Sequence, residues 1–212
     1  MAKRLFDIAF ASLALLLLSP LLLAIGLWVW WDSPGPVVFR QLRVGRGGRP
    51  FNIYKFRTMH LGAATAGPQI TVGRDPRITR AGALLRRFKL DELPQFFNVV
   101  RGQMSVVGPR PEVPRFVAQY PADLRESVLS VRPGITDLAS IAFLDESTLL
   151  ARSTEPECTY IEQILPIKLQ YAHQYVRTRT LLLDIRIIIW TVLAILGYSV
   201  SPSLGHKHSP KP

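Results

Sequence analysis

The stretch FKLDELPQFFNVV, residues 88–100, holds two adjacent carboxylates, Asp91 and Glu92, among apolar side chains. Arg86, Arg87 and Lys89 stand beside them. Carboxylates set among cations suit phosphate chemistry. An ionised aspartate is a competent nucleophile at phosphorus. A neighbouring glutamate is a hard oxygen ligand for a divalent cation, and Asp91 can share that ion. The cations would neutralise a phosphate and let an anion approach it. The simpler reading is a helix N-cap with a salt-bridged turn. Pro94 lies three residues after Asp91, and proline is tolerated in a first helical turn but not later. The spacing therefore predicts a helix starting close to Asp91, with Asp91 near its N-cap. Free N–H groups there would hold the carboxylate ionised and draw a phosphate to the same place.

A second pair, Asp145-Glu146, follows the apolar run of IAFLDEST. No arginine lies within five residues on either side and no proline-started helix follows. This pair reads as a solvated loop, within reach of a substrate hydroxyl or nucleotide at most. Arg110 differs again, because Pro109, Pro111 and Pro114 surround it. Flanking prolines stiffen the backbone. A rigidly held arginine suits bidentate phosphate recognition, and a plain linker arginine is the alternative.

These residues need elements to carry them. VVFRQLRV and FNIYKF, joined by GRGGRP, predict a β-hairpin with a glycine turn. It carries Arg40, Arg43, Arg46, Arg49 and Lys55, with Arg57 just after. For most of them the reading is a solvated basic face near lipid headgroups. DPRIT predicts a turn into a short amphipathic helix with Ile78, Leu84, Leu85 and Phe88 on its apolar side. VRPGITDLASIAFL predicts turn and strand.

The chain of 212 residues is long enough for one domain with a sizeable core. Its net charge of +11 seeks phosphate, in nucleic acid, an anionic bilayer or a nucleotide substrate. The cations are interleaved with proline, glycine and carboxylates, which argues against nucleic acid. A single cysteine, Cys158, permits no internal disulfide. From Ile8 to Trp31, 24 residues run without a charge. As a helix that run is roughly 36 Å long, enough for a hydrocarbon core of ~30 Å. It exceeds a signal-peptide h-region, and no cleavage site follows. Lys3 and Arg4 precede it and Arg40, Arg43, Arg46 and Arg49 follow, so both ends favour the cytoplasmic side. Ser19-Pro20 near its middle predicts a bend. A re-entrant helix that leaves by its face of entry fits both facts, and a kinked spanning helix is the alternative. Trp28, Trp30 and Trp31 suit the headgroup layer either way. The apolar run Ile187 to Tyr198, twelve residues, is too short to span and predicts an interfacial or core-packing helix. The tail SPSLGHKHSPKP is polar and predicts disorder, with His206 and His208 as tail composition rather than a metal site.

KRLFDIAFASLALLLLSP, GPVVFRQLRVGRGGRPFNIYKFRTM, DPRITRAGALLRRFKLDELPQFFNVVRGQMSVVGPRPEVP and RPGITDLASI stand here in one order. From about Lys3 to about Leu196 this order resembles the bacterial sugar transferases that start surface-glycan assembly, the monotopic phosphoglycosyl transferases. The resemblance implies transfer of a sugar-1-phosphate from a UDP-sugar to polyprenyl (undecaprenyl) phosphate, with release of UMP. It implies that Asp91 is the nucleophile, through a covalent phosphosugar, and that Glu92 is linked to Mg²⁺. It implies phosphate binding at Lys55, Arg86 and Arg110; Arg57, two residues beyond Lys55, is counted with them. The family's re-entrant bend falls on Ser19-Pro20. The implied fold class is α+β and mostly helical: a re-entrant membrane hairpin, a small β-hairpin and amphipathic interfacial helices around a membrane-surface site. The implied division is a membrane helix over 1–35, a catalytic domain over 36–198 and a disordered tail over 199–212. The implied location is the cytoplasmic face of the bacterial inner membrane, in exopolysaccharide, O-antigen or capsule assembly. Association into a homodimer is an open alternative to a monomer. Two departures bear on sugar or nucleotide contacts: Asp137 stands where many relatives have glycine in PGITG, and Ala172 replaces a common acidic residue. Longer members carry upstream transmembrane helices, so the chain resembles the minimal form. Two other readings remain: a non-catalytic basic protein of membrane surfaces, and a glycosyltransferase that moves the sugar alone and releases UDP.

Overall fold

A computed structural model describes residues 1–63, 71–73 and 75–200 of the chain. Most of the predicted tail, residues 201–212 with His206 and His208, lies outside the described residues.

The apolar N-terminal run folds as two helices, Ala2–Leu17 (α1) and Ser19–Asp32 (α2), bent by 63° at Leu18. Pro20 occupies the first turn of α2, where its missing N–H costs nothing. The Ser19 hydroxyl donates to Leu16 O at 2.8 Å and occupies a carbonyl at the break. Among the described residues no single helix is long and apolar enough to cross a membrane, whereas the bent pair together is. Leu13, Leu16, Leu17, Leu23, Leu27, Trp30 and Trp31 stay exposed on it.

Val38–Val44 (β1) and Pro50–Phe56 (β2) pair antiparallel, Val38 opposite Phe56. The predicted hairpin is present, but its basic face is only partly solvated. Arg40, Arg46 and Arg49 are exposed, while Arg43 and Lys55 are half-buried and Arg57 is buried. The hairpin packs its other side into the molecule, so charge alone did not place these residues.

Then follow Arg80–Arg87 (α3), Gln95–Val100 (α4), Ser105–Val107 (β3), Pro114–Val117 (α5) and Ala122–Leu129 (α6). Beyond them lie Gly134–Thr136 (β4), Leu138–Ala142 (α7), Glu146–Leu150 (α8), Pro156–Thr159 (α9), Leu165–Thr178 (α10) and Leu181–Ile195 (α11). The amphipathic α3 forms as predicted, capped by the Thr79 hydroxyl accepting from Gly82 N. Only Leu85 of its predicted apolar set is buried; Leu84 and Phe88 are exposed beside Arg87. Strand and turn were expected across VRPGITDLASIAFL; β4 is there, but α7 takes the second half. Asp137 starts α7 by accepting from Ser140 N at 2.7 Å, a local cap that overrides a strand. β3 and β4 pair in parallel, a contact that periodicity did not reveal. They lie so close that a Cβ at Gly134 would sit 2.1 Å from Gly108 N, so glycine is required there.

One core joins Ala11 of α1, Phe51 and Ile53 of β2, Val99 of α4, Val106 and Val107 of β3, and Leu183 and Ile187 of α11. Another lies among α5, α6, α8 and α10. A third packs Ile25 and Val29 of α2 on Phe56 and Leu85. The segment Ile187 to Tyr198 thus faces the core on one side and leaves Ile189, Val192 and Leu196 exposed on the other. Lys3 bridges the buried Asp184 at 2.7 Å, while Asp7 accepts from Ser105 Oγ and Val106 N. These bonds fasten α1 to β3 and α11.

Candidate active site

α3 ends at Phe88, and Lys89 then adopts a left-handed conformation with φ 55°. It is the one non-glycine residue with positive φ among the described residues. This reversal turns a 3₁₀ turn, Leu90–Glu92, back toward the hairpin. The predicted helix start is therefore corrected: Lys89 takes the N-cap position, the turn at Asp91 is 3₁₀, and α4 begins only at Gln95. No N–H group donates to Asp91 among the described residues. Pro94 itself takes the N-cap position of α4, three residues later than the spacing implied.

Asp91 and Glu92 are both buried, at 7% and 8% exposure. Their partners separate them. Glu92 Oε1 accepts from Lys55 Nζ at 2.9 Å and also from Arg110 Nη2. Its Oε2 accepts from Arg110 Nη1 at 3.0 Å. A forked guanidinium and an ammonium thus hold both carboxylate oxygens. Asp91 makes no hydrogen bond and no ion pair among the described residues. It faces the cleft with an unengaged carboxylate.

The electrostatics follow from these positions. Burial raises the Asp91 carboxyl above its usual range, and Glu92 adds to the effect, against Lys55 and Arg86. Burial opposes charge on Glu92 too, but Arg110 and Lys55 outweigh it and hold Glu92 well below its ordinary value. Burial lowers Lys55, with Glu92 acting against it. Arg110 is also desolvated, yet Glu92 raises it. Glu92 is thus the fixed anion of the pair, and Asp91 is the more basic, available one.

Each predicted residue has a distinct setting. Lys55 projects from β2 onto Glu92. Arg86 lies in the last turn of α3, where Nε donates to Thr58 Oγ1 at 2.8 Å and Nη1 to Thr71 Oγ1 at 2.9 Å. Arg110 follows β3, and its amide donates to Asp137 Oδ2 at 3.1 Å. The chain bends there because Gly134 N bonds Pro109 O at 2.9 Å. Lys55, Arg86, Arg110, Asp91 and Glu92 line one cleft of about 1860 Å³. Arg57 borders it too, but its guanidinium donates to the carbonyls of Ser33 and Pro34, the latter at 2.7 Å. Its guanidinium thus closes the C-terminal end of α2, where free carbonyls draw cations. Ser19-Pro20 lies at the bend and not in this cleft.

For the second acidic pair the sequence predicts a solvated loop with no arginine nearby. Glu146 opens α8, and Lys168 of α10 reaches it at 2.8 Å. Lys168 also approaches Glu112 at 3.7 Å, and Tyr160 donates its hydroxyl to Glu112 at 2.6 Å. Arg43 lies 3.4 Å from Glu112. Sequence reasoning passed over Thr58, Glu112, Tyr160 and Lys168, because no local spacing connects them. Asp137 alone carried a signal, as a departure from a glycine.

Among the described residues no group of three or more potential metal ligands occurs. The two hard carboxylates still fit Mg²⁺ in kind, since that ion is held by one or two carboxylates when substrate phosphates supply further oxygens.

Residues 1–198 match the bacterial sugar transferase family. The chain is 39% identical over 196 residues to the UDP-N-acetylgalactosamine-undecaprenyl-phosphate N-acetylgalactosaminephosphotransferase of Aeromonas hydrophila, covering 92% of this chain and 43% of that protein. It is 43% identical over 200 residues to the UDP-glucose:undecaprenyl-phosphate glucose-1-phosphate transferase of Xanthomonas campestris pv. campestris, covering 92% and 39%. It is 39% identical over 209 residues to the exopolysaccharide production protein PSS of Rhizobium leguminosarum bv. phaseoli, covering 92% and 94%. The chain spans about two fifths of the length of the first two. With a match that runs from α1 through Asp91 and Glu92 to α11, the chain belongs to the bacterial sugar transferase family.

Proposed function

We propose that the chain transfers a sugar-1-phosphate from a UDP-sugar to polyprenyl phosphate through a covalent intermediate on Asp91. The observation that carries this is the asymmetry of the dyad. Glu92 has both oxygens tied, while Asp91 stands free in the cleft. An Asp91 oxygen attacks the sugar-bearing phosphorus. The bond from that phosphorus to the bridging oxygen breaks, and its electron pair leaves with UMP. A phosphate oxygen of the polyprenyl lipid then attacks the same phosphorus. The bond to Asp91 breaks, the carboxylate returns, and polyprenyl diphosphosugar forms. Raised basicity strengthens Asp91 as a nucleophile, and the cations of Lys55, Arg86 and Arg110 stabilise charge spread over the phosphoryl oxygens. Mg²⁺, held by Asp91 and Glu92 together with substrate, would supply further neutralisation of the diphosphate. A basic adaptor has less support, because the cations of the cleft surround two buried carboxylates, which repel a bound anion unless they serve chemistry, and Arg57 is committed to backbone carbonyls.

The lipid acceptor brings the membrane into the reading. The bent α1–α2 pair enters and leaves the cytoplasmic face of the bacterial inner membrane, and residues 36–198 stand on that face as the catalytic domain. The 63° bend, the exposed tryptophans and the positive flanks support this.

The test uses the full chain in nanodiscs with Mg²⁺, polyprenyl phosphate and a panel of UDP-sugars. UMP is expected, with none after EDTA and recovery on adding Mg²⁺. Mass spectrometry of enzyme trapped without lipid should find a phosphosugar on the Asp91 peptide. Release of UDP, or turnover by Asp91→Asn at the normal rate, overturns the mechanism. For topology, a cysteine at Ala2 and the exposed Cys158 should react with an impermeant thiol reagent from the same side; opposite sides would mean a spanning helix.

A further inference from the structure

The cleft that holds the dyad extends to a second polar cluster, on α8, α10 and the π-turn Tyr160–Ile164 between α9 and α10. Glu146, Ser147, Tyr160, Lys168 and Glu112 all line it. We infer that Glu146, steadied by Lys168, recognises hydroxyl groups of the transferred sugar and so sets sugar specificity. This rests on the reading that the cleft binds a UDP-sugar.

The argument starts from what is used and what is free. Glu146 Oε2 accepts from Lys168 Nζ at 2.8 Å. Its Oε1 accepts nothing among the described residues, and neither does the neighbouring Ser147 hydroxyl. The Glu146 side chain is 25% exposed and that of Lys168 13%. A partly desolvated carboxylate with one oxygen open is an acceptor aimed at the cleft. Lys168 cannot swing away. Its ammonium also contacts the Tyr160 hydroxyl at 3.3 Å and Glu112 at 3.7 Å, and it lies over the Tyr160 ring at 4.9 Å. Burial opposes charge on Glu112, but Lys168 and Arg43 outweigh it and keep Glu112 ionised. The lysine is thus clamped between two anions, and it fixes Glu146 in turn.

The chemistry favours sugar over base. A carboxylate accepts readily from hydroxyls. A uracil ring needs an aromatic or apolar face to lie on. The ring of this cluster, Tyr160, is buried, with Phe116 at 4.9 Å and the ammonium of Lys168 over it. No face of Tyr160 remains for a base. The phosphate cations gather instead around the dyad. A sugar phosphate seated on Asp91 can direct its hydroxyls along the cleft toward Glu146.

The test measures kcat/KM for UMP release from UDP-glucose, UDP-galactose and their N-acetylated counterparts, with the full chain in nanodiscs, together with inhibition by UMP. Glu146→Ala should lower kcat/KM for the preferred sugar about tenfold or more relative to the least preferred. Glu146→Gln should retain part of the preference, because its carbonyl still accepts a hydrogen bond. Lys168→Met should lose preference as Glu146→Ala does. UMP inhibition should stay within about twofold in all three, since UMP carries no sugar beyond its ribose. Equal losses for every sugar, or unchanged ratios, overturn the inference. Weakened UMP inhibition would place the ribose or uracil at Glu146 and overturn it as well. If the wild-type chain releases UMP from none of these donors, the preceding section fails first and this inference falls with it.

Discussion

Two Asp-Glu pairs border one cleft and meet different fates. At 91–92 both carboxylates are buried; at 145–146 Asp145 is exposed and Glu146 half-exposed. Each glutamate has a cation, but neither cation is a sequence neighbour. Lys55 lies 37 residues from Glu92, Arg110 lies 18 away, and Lys168 lies 22 from Glu146. Arg87, close to Asp91 in sequence, points to solvent beside Phe88. Proximity along the chain therefore misidentifies the partners. Burial with a pair of fixed cations separates the first pair from the half-solvated second one. Water reaches the second pair in part and weakens its ion pair, while desolvation magnifies every charge around the first.

The comparison can be broken most sharply at the proposed nucleophile, Asp91. Asp91→Asn should cut UMP release by about 10⁴-fold or more, as loss of a covalent nucleophile does. Asp145→Asn should change it less than about twofold, since an exposed carboxylate without partners contributes little. Both are read in one assay, and equal losses would erase the distinction drawn between the pairs.

Next comes the fork on Glu92. Arg110→Ala strips its bidentate partner and leaves only Lys55. Thermal unfolding should report a loss of about 2 kcal/mol, at the low end for truncating a buried charge pair. The matching change, Lys168→Ala, should cost less, because Glu146 can rehydrate. Equal losses of stability would mean that burial is not what distinguishes the pairs.

A smaller effect tests the turn that aims the dyad. Lys89→Gly removes a left-handed non-glycine residue, and stability should rise by about 1 kcal/mol. UMP release should fall only slightly, as one distant cation is lost. A fall in stability would show that the Lys89 side chain, and not its backbone, holds the reversal.

Part of this was legible in the residues. The hairpin, α3 and the break at Ser19-Pro20 followed from periodicity and proline, whereas the C-terminal helix starts at Leu181, six residues before the apolar run that predicts it. The sequence also named Asp91, Glu92, Lys55, Arg86 and Arg110, and the fold brings these five to one cleft. Where Arg57 points was not legible, because a basic residue two positions beyond Lys55 shares its composition but not its direction. It turns to the end of α2, where its guanidinium donates to the carbonyls of Val29, Ser33 and Pro34. Nor was α8 legible, or the parallel pairing of β3 with β4, which joins segments nearly thirty residues apart.

By itself the sequence determined the apolar bent segment, the order of the motifs and the presence of carboxylates among cations, because these depend on residue type and local spacing. Only the tertiary structure decided which cation meets which carboxylate, and that among the described residues Asp91 has no hydrogen-bond partner while Glu92 is bound on both oxygens. Those outcomes rest on contacts between distant segments, and on burial, which no local pattern encodes.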